Sequence, residues 1–236
     1  MKSLLGLAWT TYMINFLKLL FLATGYLFIP SIVSASVVYS DLNIRATSPE
    51  IIFQASVEAL KQSDIEKAAY LFYAARWRAF CDQQLFPPKA EGGDSPFILF
   101  GALSQIIGED INPKITNDPQ GYKRVVDLIT VLNPVPEIGY KPSWEYKAIN
   151  NIEEAKCLCL SSKKEFIQLN QRQSKLLLNQ EYFSIFNRIK ENNLSSSDNQ
   201  SNSDEHSIKK DILKLKEIEI KEFGDSFLWN LVYADE

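Results

Sequence analysis

Histidine is almost absent from this chain of 236 residues, since His206 is the only one. A Ser-His-Asp or Cys-His catalytic site, or a zinc site with several histidines, would have to use that residue. It lies in a polar stretch without aromatic residues, of the kind that buries too little apolar surface to fold. The sequence therefore predicts no catalytic residue of these classes and no metal site.

Glycine is also scarce, and the chain has no excess of positive charge. The 9 glycines leave little material for a glycine-rich phosphate loop or for an all-β sandwich. The net charge is -4, whereas a nucleic-acid-binding protein normally has a basic face. We therefore expect no cofactor and no nucleic-acid partner.

The start of the chain has the pattern of an export signal. Lys18 precedes an apolar run at 19–29, and Val33-Ser34-Ala35 follows it. This order is typical of a secretory signal peptide, here with cleavage after residue 35. An uncleaved anchor is the alternative, although a membrane span needs about 20 apolar residues and Lys18 and Pro30 interrupt the run. We expect an exported protein, periplasmic or extracellular, or one held at the membrane by residues 1–35.

The chain has three cysteines, and their spacing is not that of a metal-binding or redox motif. Cys157 and Cys159 are separated by one residue, which is the spacing of neither a redox C-x-x-C pair nor a zinc pair. An oxidising compartment favours a disulfide, with Cys81 and Cys157 as the candidate pair and one thiol left over. Buried free thiols are the alternative.

The rest of the chain predicts a mainly α-helical protein. Pairs of a capping residue and a proline, at Ser48-Pro49, Ser95-Pro96 and Asp118-Pro119, are typical of helix starts. The helix expected at 65–84 is apolar on nearly every side, which indicates that it is buried all round. We expect a helical domain at 36–190, with about four to six helices built around an αα-hairpin.

Two interruptions are predicted inside this domain. Gly108 is expected to end the helix that starts near Pro96. A long amphipathic helix at 151–190 is expected to break near Ser161-Ser162.

A family resemblance is carried by the first two predicted helices. Small and aromatic residues there have the spacing of a tetratricopeptide-type hairpin: Ile52, Ala55, Ser56, Ala59, Ala68, Phe72 and Ala75. Residues from about 50 to 83 thus resemble one such repeat, with Ser56 where the family prefers glycine and its closing proline displaced to Pro87. The resemblance implies two closely packed antiparallel helices and a role in peptide or protein binding.

The C-terminal part is expected to be separate from this domain. Residues 191–207 are polar and predict a linker. Beyond it, 208–236 predict an appendage with strands near 215–222 and 227–233, joined in a β-hairpin at Gly224-Asp225. A helix at 208–216 is the alternative.

Four residues of the second helix are candidates for binding. Arginine and aromatic residues are enriched at binding surfaces, and an arginine in an apolar wall can hold an anionic group. The candidates are Tyr70, Tyr73, Arg76 and Trp77. The structural alternative is that Arg78 forms a surface pair with Asp82 while Arg76 lies along apolar surface or bonds a buried carboxylate.

These observations favour a non-enzymatic protein of the cell envelope that binds another protein, as an adaptor or inhibitor. The alternative is an envelope hydrolase that uses carboxylates in the helical domain. A deep pocket with two carboxylates would favour the hydrolase, and a shallow aromatic groove would favour the binding protein.

Overall fold

The computed structural model describes residues 42–89, 95–195 and 202–226. The signal peptide or anchor predicted at 1–35 and the strand predicted at 227–233 lie outside these residues. The chain divides into a first compact unit, Ser36–Lys175, and a second one whose described residues follow it. Seven helices occur in the described ranges: α1 (Pro49–Lys61), α2 (Ile65–Leu85), α3 (Pro96–Thr116), α4 (Pro119–Val131), α5 (Ile152–Leu178), α6 (Gln180–Ser195) and α7 (Asn202–Phe223).

The mainly helical prediction is confirmed, and three helices start at the prolines after Ser48, Ser95 and Asp118, although neither serine side chain makes a capping hydrogen bond. Asp64 caps α2 by accepting a hydrogen bond from the Lys67 backbone N–H at 3.1 Å. Asp118 caps α4 in the same way, accepting from the Gly121 N–H at 3.0 Å. Such side chains satisfy N–H groups that have no partner inside the helix.

A tight turn joins α1 to α2. Ser63 adopts a φ of 61°, in the left-handed region. Its N–H bonds the Leu60 carbonyl at 2.9 Å, and the Asp64 N–H bonds the Ala59 carbonyl at 3.0 Å. These two bonds form a Schellman motif, which ends α1 and reverses the chain. The Ser56 hydroxyl donates to the Ala68 carbonyl at 2.8 Å and ties the two helices together.

Helix α2 is the centre of the first unit. Most of its residues from Ala68 to Leu85 are buried, on all sides of the helix. It packs against α1, α3 and α4. The predicted burial is confirmed for most of the helix beyond the first turn, but one strip with Arg76, Phe80 and Gln83 reaches the surface.

The predicted end of the third helix was wrong, because α3 continues through Gly108 and Pro113 to Thr116. Ile107, Ile111 and Ile115 are buried at intervals of four residues, so packing continues past the glycine. A Cβ at Gly108 would lie 2.9 Å from Cζ of Phe72. The glycine therefore permits close packing of α3 on α2 instead of ending the helix.

A disulfide joins α2 to α5, between Cys81 and Cys159, whereas Cys157 is a free and exposed thiol. The prediction of a Cys81–Cys157 bond was therefore wrong in its second partner. Residues two apart on a helix point about 200° apart, so only one of the two cysteines of α5 faces α2.

The irregular segment after α4 is held against the end of α2. Lys89 N–H bonds the Glu145 carbonyl at 2.9 Å, and Lys147 N–H bonds the Pro87 carbonyl at 2.7 Å. The Trp144 indole N–H donates to the Phe86 carbonyl at 3.0 Å. Trp144 thereby pins the loop to the residue that follows α2.

The break in the long helix lies at Asn179 and not near Ser161-Ser162. Ser161 stays in α5 because its hydroxyl bonds the Leu158 carbonyl within the helix, at 3.0 Å. Asn179 instead caps α6 by accepting from the Tyr182 N–H at 3.0 Å. Asparagine is one of the preferred helix caps.

The second unit is helical where the sequence predicts a strand at 215–222. Leu215 and Glu219, four residues apart, are both buried in α7, which packs against α6. Gly224, with a φ of 83°, bonds the Ile220 carbonyl and ends α7, so the predicted hairpin turn is a helix stop. The helical alternative for 208–216 is confirmed.

The predicted linker at 191–207 is partly helical. Helix α6 extends to Ser195, and α7 begins at Asn202. Once a helix is started by packed residues, each further residue adds a hydrogen bond at small entropic cost, which explains these extensions. None of the helices in the described ranges has both the length and the hydrophobicity that a membrane span requires.

Candidate functional site

The first unit has a surface groove between α2 and α3, which we name the α2–α3 groove. It has a volume of about 170 Å³ and is open to solvent. Its wall from α2 consists of Arg76, Ala79, Phe80 and Gln83, and its wall from α3 consists of Phe97, Phe100, Gly101 and Ser104.

Helical spacing explains how both walls form. The groove residues of α2 recur at intervals of three and four, so their side chains leave the same face of the helix. Those of α3 do the same. The groove is open at Gly101, where a Cβ would have nothing within 4 Å.

Arg76 is the only charged residue among the described residues that line the groove. Its side chain is exposed, and its guanidinium carbon lies 5.6 Å from the ring centroid of Phe72 and 5.8 Å from that of Phe166. Contacts of this kind are cation–π interactions, which orient the arginine and leave its N–H groups available to a further partner.

The other predicted binding residues are mostly in the core. Tyr73 is 7% and Trp77 is 5% exposed, and the ring of Phe166 packs edge-on against both, at 5.7 Å and 4.6 Å. Tyr70 is half-buried. The structure therefore places Arg76 at the surface, whereas Tyr73 and Trp77 pack in the core on Phe166, one of the two rings that contact Arg76.

Sequence reasoning missed the remaining groove residues. Phe80 and Gln83 follow Arg76 by four and seven residues, a spacing that puts all three on one helical face. That periodicity was a usable signal. The groove residues of α3 could not be predicted in this way. Almost every residue at 97–107 is apolar, so the sequence does not indicate which face of the helix packs against α2.

Arg78 has a different environment from Arg76. Arg78 and Asp82 form an ion pair, as predicted, but both are 0% exposed, so the prediction of a surface pair was wrong. The guanidinium carbon lies 4.2 Å from the Tyr140 ring centroid, and the Tyr140 hydroxyl donates to Asp82 Oδ2 at 2.9 Å. Burial lowers the pKa of Arg78 to about 10, against the attraction of Tyr140.

No known protein family, curated protein or solved structure matches the chain.

The side chains that line the groove are mainly aromatic and small. None of its described lining residues is Asp, Glu, His or Cys. Within 42–89, 95–195 and 202–226, no three or more His, Cys, Asp and Glu side chains lie close enough together to hold a metal ion. The volume is smaller than the roughly 300–1,000 Å³ of typical small-molecule sites. The groups that line the groove are aromatic rings, the Arg76 cation, the Gln83 amide and the Ser104 hydroxyl.

Proposed function

We propose that this chain is a non-enzymatic module that binds a segment of another protein in the α2–α3 groove, as an adaptor or inhibitor. The observation that carries this proposal is the shallow, open groove, which combines the rings of Phe80, Phe97 and Phe100 with the exposed cation of Arg76. Aromatic residues and arginine are the residue types most enriched where proteins bind each other.

Two further features support the proposal. The α1–α2 hairpin is the part of the chain that resembles a tetratricopeptide repeat, and α2 of this hairpin supplies one wall of the groove. The Cys81–Cys159 disulfide suits an oxidising compartment, in line with export to the cell envelope.

Selection of peptides from a random-sequence display library on the immobilised protein tests the proposal. We expect enriched peptides whose binding is lost in a Gly101→Phe variant. The new ring would enter the groove from an open position, so the fold should tolerate it. Ala102→Phe is the matched control, because Ala102 is exposed on the same helix but does not line the groove.

The selected peptides should keep their affinity for Ala102→Phe and lose at least about tenfold with Gly101→Phe, which corresponds to ~1.4 kcal/mol. Circular dichroism should show equal helix content in both variants. If no peptide is enriched, or if Gly101→Phe binds the enriched peptides as well as the unmodified protein does, the proposed function is wrong.

A further inference from the structure

We infer that the segment bound in the α2–α3 groove carries a carboxylate beside a bulky apolar side chain, and that Arg76 binds this carboxylate. The inference rests on the proposed function and names the chemistry of the ligand. Two observations carry it. Arg76 has no ionic partner among the described residues, and the groove has a suitable size and composition.

Arg76 differs from three other described arginines in its partners. Arg78 pairs with Asp82, Arg124 holds both oxygens of Glu66 at 2.9 Å and 2.5 Å, and Arg188 holds both oxygens of Asp211 at 2.6 Å. Among the described residues, no carboxylate lies within ion-pair distance of Arg76 and no acceptor bonds its N–H groups. The residues that the structure describes therefore supply Arg76 with aromatic contacts and with no ionic partner.

The orientation of Arg76 suits a carboxylate. The rings of Phe72 and Phe166 hold the guanidinium by cation–π contact and restrict its movement. A guanidinium held in this way loses little further entropy when it forms two parallel hydrogen bonds to a carboxylate. A phosphate would also match this fork, but the described lining residues include no second cation to balance its second charge.

The rest of the groove suits one bulky apolar side chain. Its volume is about 170 Å³, and its lining includes the rings of Phe80, Phe97 and Phe100. A ring or branched side chain there would gain aromatic contacts and leave water. Gln83 and Ser104 lie at the same groove and can bond the backbone of a bound segment.

Hydrocinnamate, which joins a phenyl ring to a carboxylate, is the smallest probe with both features. Hydrocinnamide has the same ring and a neutral amide, and it isolates the charge. Each is titrated into the full-length, isotope-labelled protein, and binding is followed by NMR through the amide resonances of the groove residues. The same titrations use Arg76→Gln, which removes the charge, and Arg76→Lys, which retains it without the planar fork.

We expect hydrocinnamate to bind about tenfold more tightly than hydrocinnamide, as a charge-assisted hydrogen bond implies. The difference should disappear in Arg76→Gln, should be reduced in Arg76→Lys, and should diminish at high salt. Gly101→Phe should abolish binding of both probes.

The inference is overturned if both probes bind equally, if hydrocinnamate does not perturb the groove, or if its advantage persists in Arg76→Gln. Any of these results would leave the proposed function standing, provided that the display selection still gives peptides that Gly101→Phe rejects. If the display selection enriches no peptide, the proposed function is wrong, whatever the two probes show.

Discussion

Arg76 and Arg78 show how strongly position on a helix decides what a residue does. Two residues along an α-helix turn the side-chain direction by about 200°, so the first arginine faces solvent and the second faces the core. The sequence predicts the Arg78–Asp82 pair from its spacing of four residues. It does not predict its burial, because the cover is Tyr140, which lies far along the chain.

Replacing Arg78 by Met should destabilise the protein by about 3–5 kcal/mol. The reason is that Asp82 would remain buried with a charge and no cationic partner. Urea-induced unfolding, followed by circular dichroism, measures the change.

Arg124→Met is the control for this prediction, since Arg124 and Glu66 form an exposed pair and the loss should be about 0–1 kcal/mol. The double variant Arg78→Met with Asp82→Leu should recover part of the lost stability, because it removes both buried charges. Equal losses in Arg78→Met and Arg124→Met would show that the buried pair contributes no more than a surface one.

Two glycines of α3 should respond in opposite directions to alanine. Gly101→Ala should stabilise the protein by up to about 1 kcal/mol, because alanine favours helix and the new methyl group enters open space. Gly108→Ala should be destabilising, since its Cβ would lie 2.9 Å from the buried ring of Phe72 and overpacking costs about 1–3 kcal/mol. Thermal unfolding of the two variants compares them, and a stabilising Gly108→Ala would contradict the close packing of α2 and α3.

At the level of elements, helix starts were predicted better than helix ends. The caps Asp64 and Asp118 act within three residues of themselves, so the local sequence contains the whole interaction. The end of α3 depends on Phe72 of another helix, and the break before α6 depends on which of several polar residues caps it. Gly108 and Ser161 are therefore locally plausible interruptions that tertiary packing overrides.

The α2–α5 disulfide should be a major source of stability for the first unit. It joins residues 78 positions apart, and a loop of this length restricts the unfolded chain strongly. We expect Cys81→Ser with Cys159→Ser to lower the free energy of unfolding by about 2–4 kcal/mol.

Cys157→Ser serves as the control for the disulfide variant. Its thiol is free and exposed, so the change should stay within about 0.5 kcal/mol. Chemical unfolding with and without a reducing agent makes the comparison, and reduction should reproduce the double substitution. A loss in Cys157→Ser as large as that in the double variant would mean that Cys157 and not Cys159 is the partner of Cys81.

For the whole molecule, several tyrosines have raised pKa values. Burial raises the pKa of Tyr73 from 10.0 to about 12, although the charge of Arg76 acts to lower it. Burial also raises the pKa of Tyr122 well above 10.0, and its hydroxyl lies 2.6 Å from Asn170 Oδ1. The folded protein therefore favours neutral tyrosine more strongly than the unfolded chain does.

Stability should consequently fall as the pH rises above about 10. Between the unfolded pKa of Tyr73, 10.0, and its folded pKa, about 12, the unfolded chain binds fewer protons. The free energy of unfolding then decreases with pH, so the contribution is complete below pH 10.0 and lost towards about pH 12. Arg78, with its pKa lowered to about 10, acts in the opposite direction over this range.

Comparing Tyr73→Phe with the unmodified protein measures the contribution of Tyr73 to the pH dependence of stability, because the contribution of Arg78 is the same in both proteins. Urea unfolding at pH values from about 8 to 12 should show a shallower fall in stability for Tyr73→Phe. Below pH 10.0 this variant should lose only the hydrogen bond from the Tyr73 hydroxyl to Asn112 Oδ1, 3.0 Å long. Parallel pH profiles for the two proteins would show that Tyr73 ionises normally in the folded state.

The sequence by itself determined that the protein is mainly helical, where most helices begin, and that α2 is at the centre. These features follow from caps, prolines and apolar periodicity, which act between residues a few positions apart. Only the tertiary structure decided that Cys159 bonds Cys81, that 215–222 is helical, that Arg78 is buried and that Arg76 lies at a groove. Each of these outcomes depends on contacts between segments distant in the chain, and local patterns do not encode which helical faces meet.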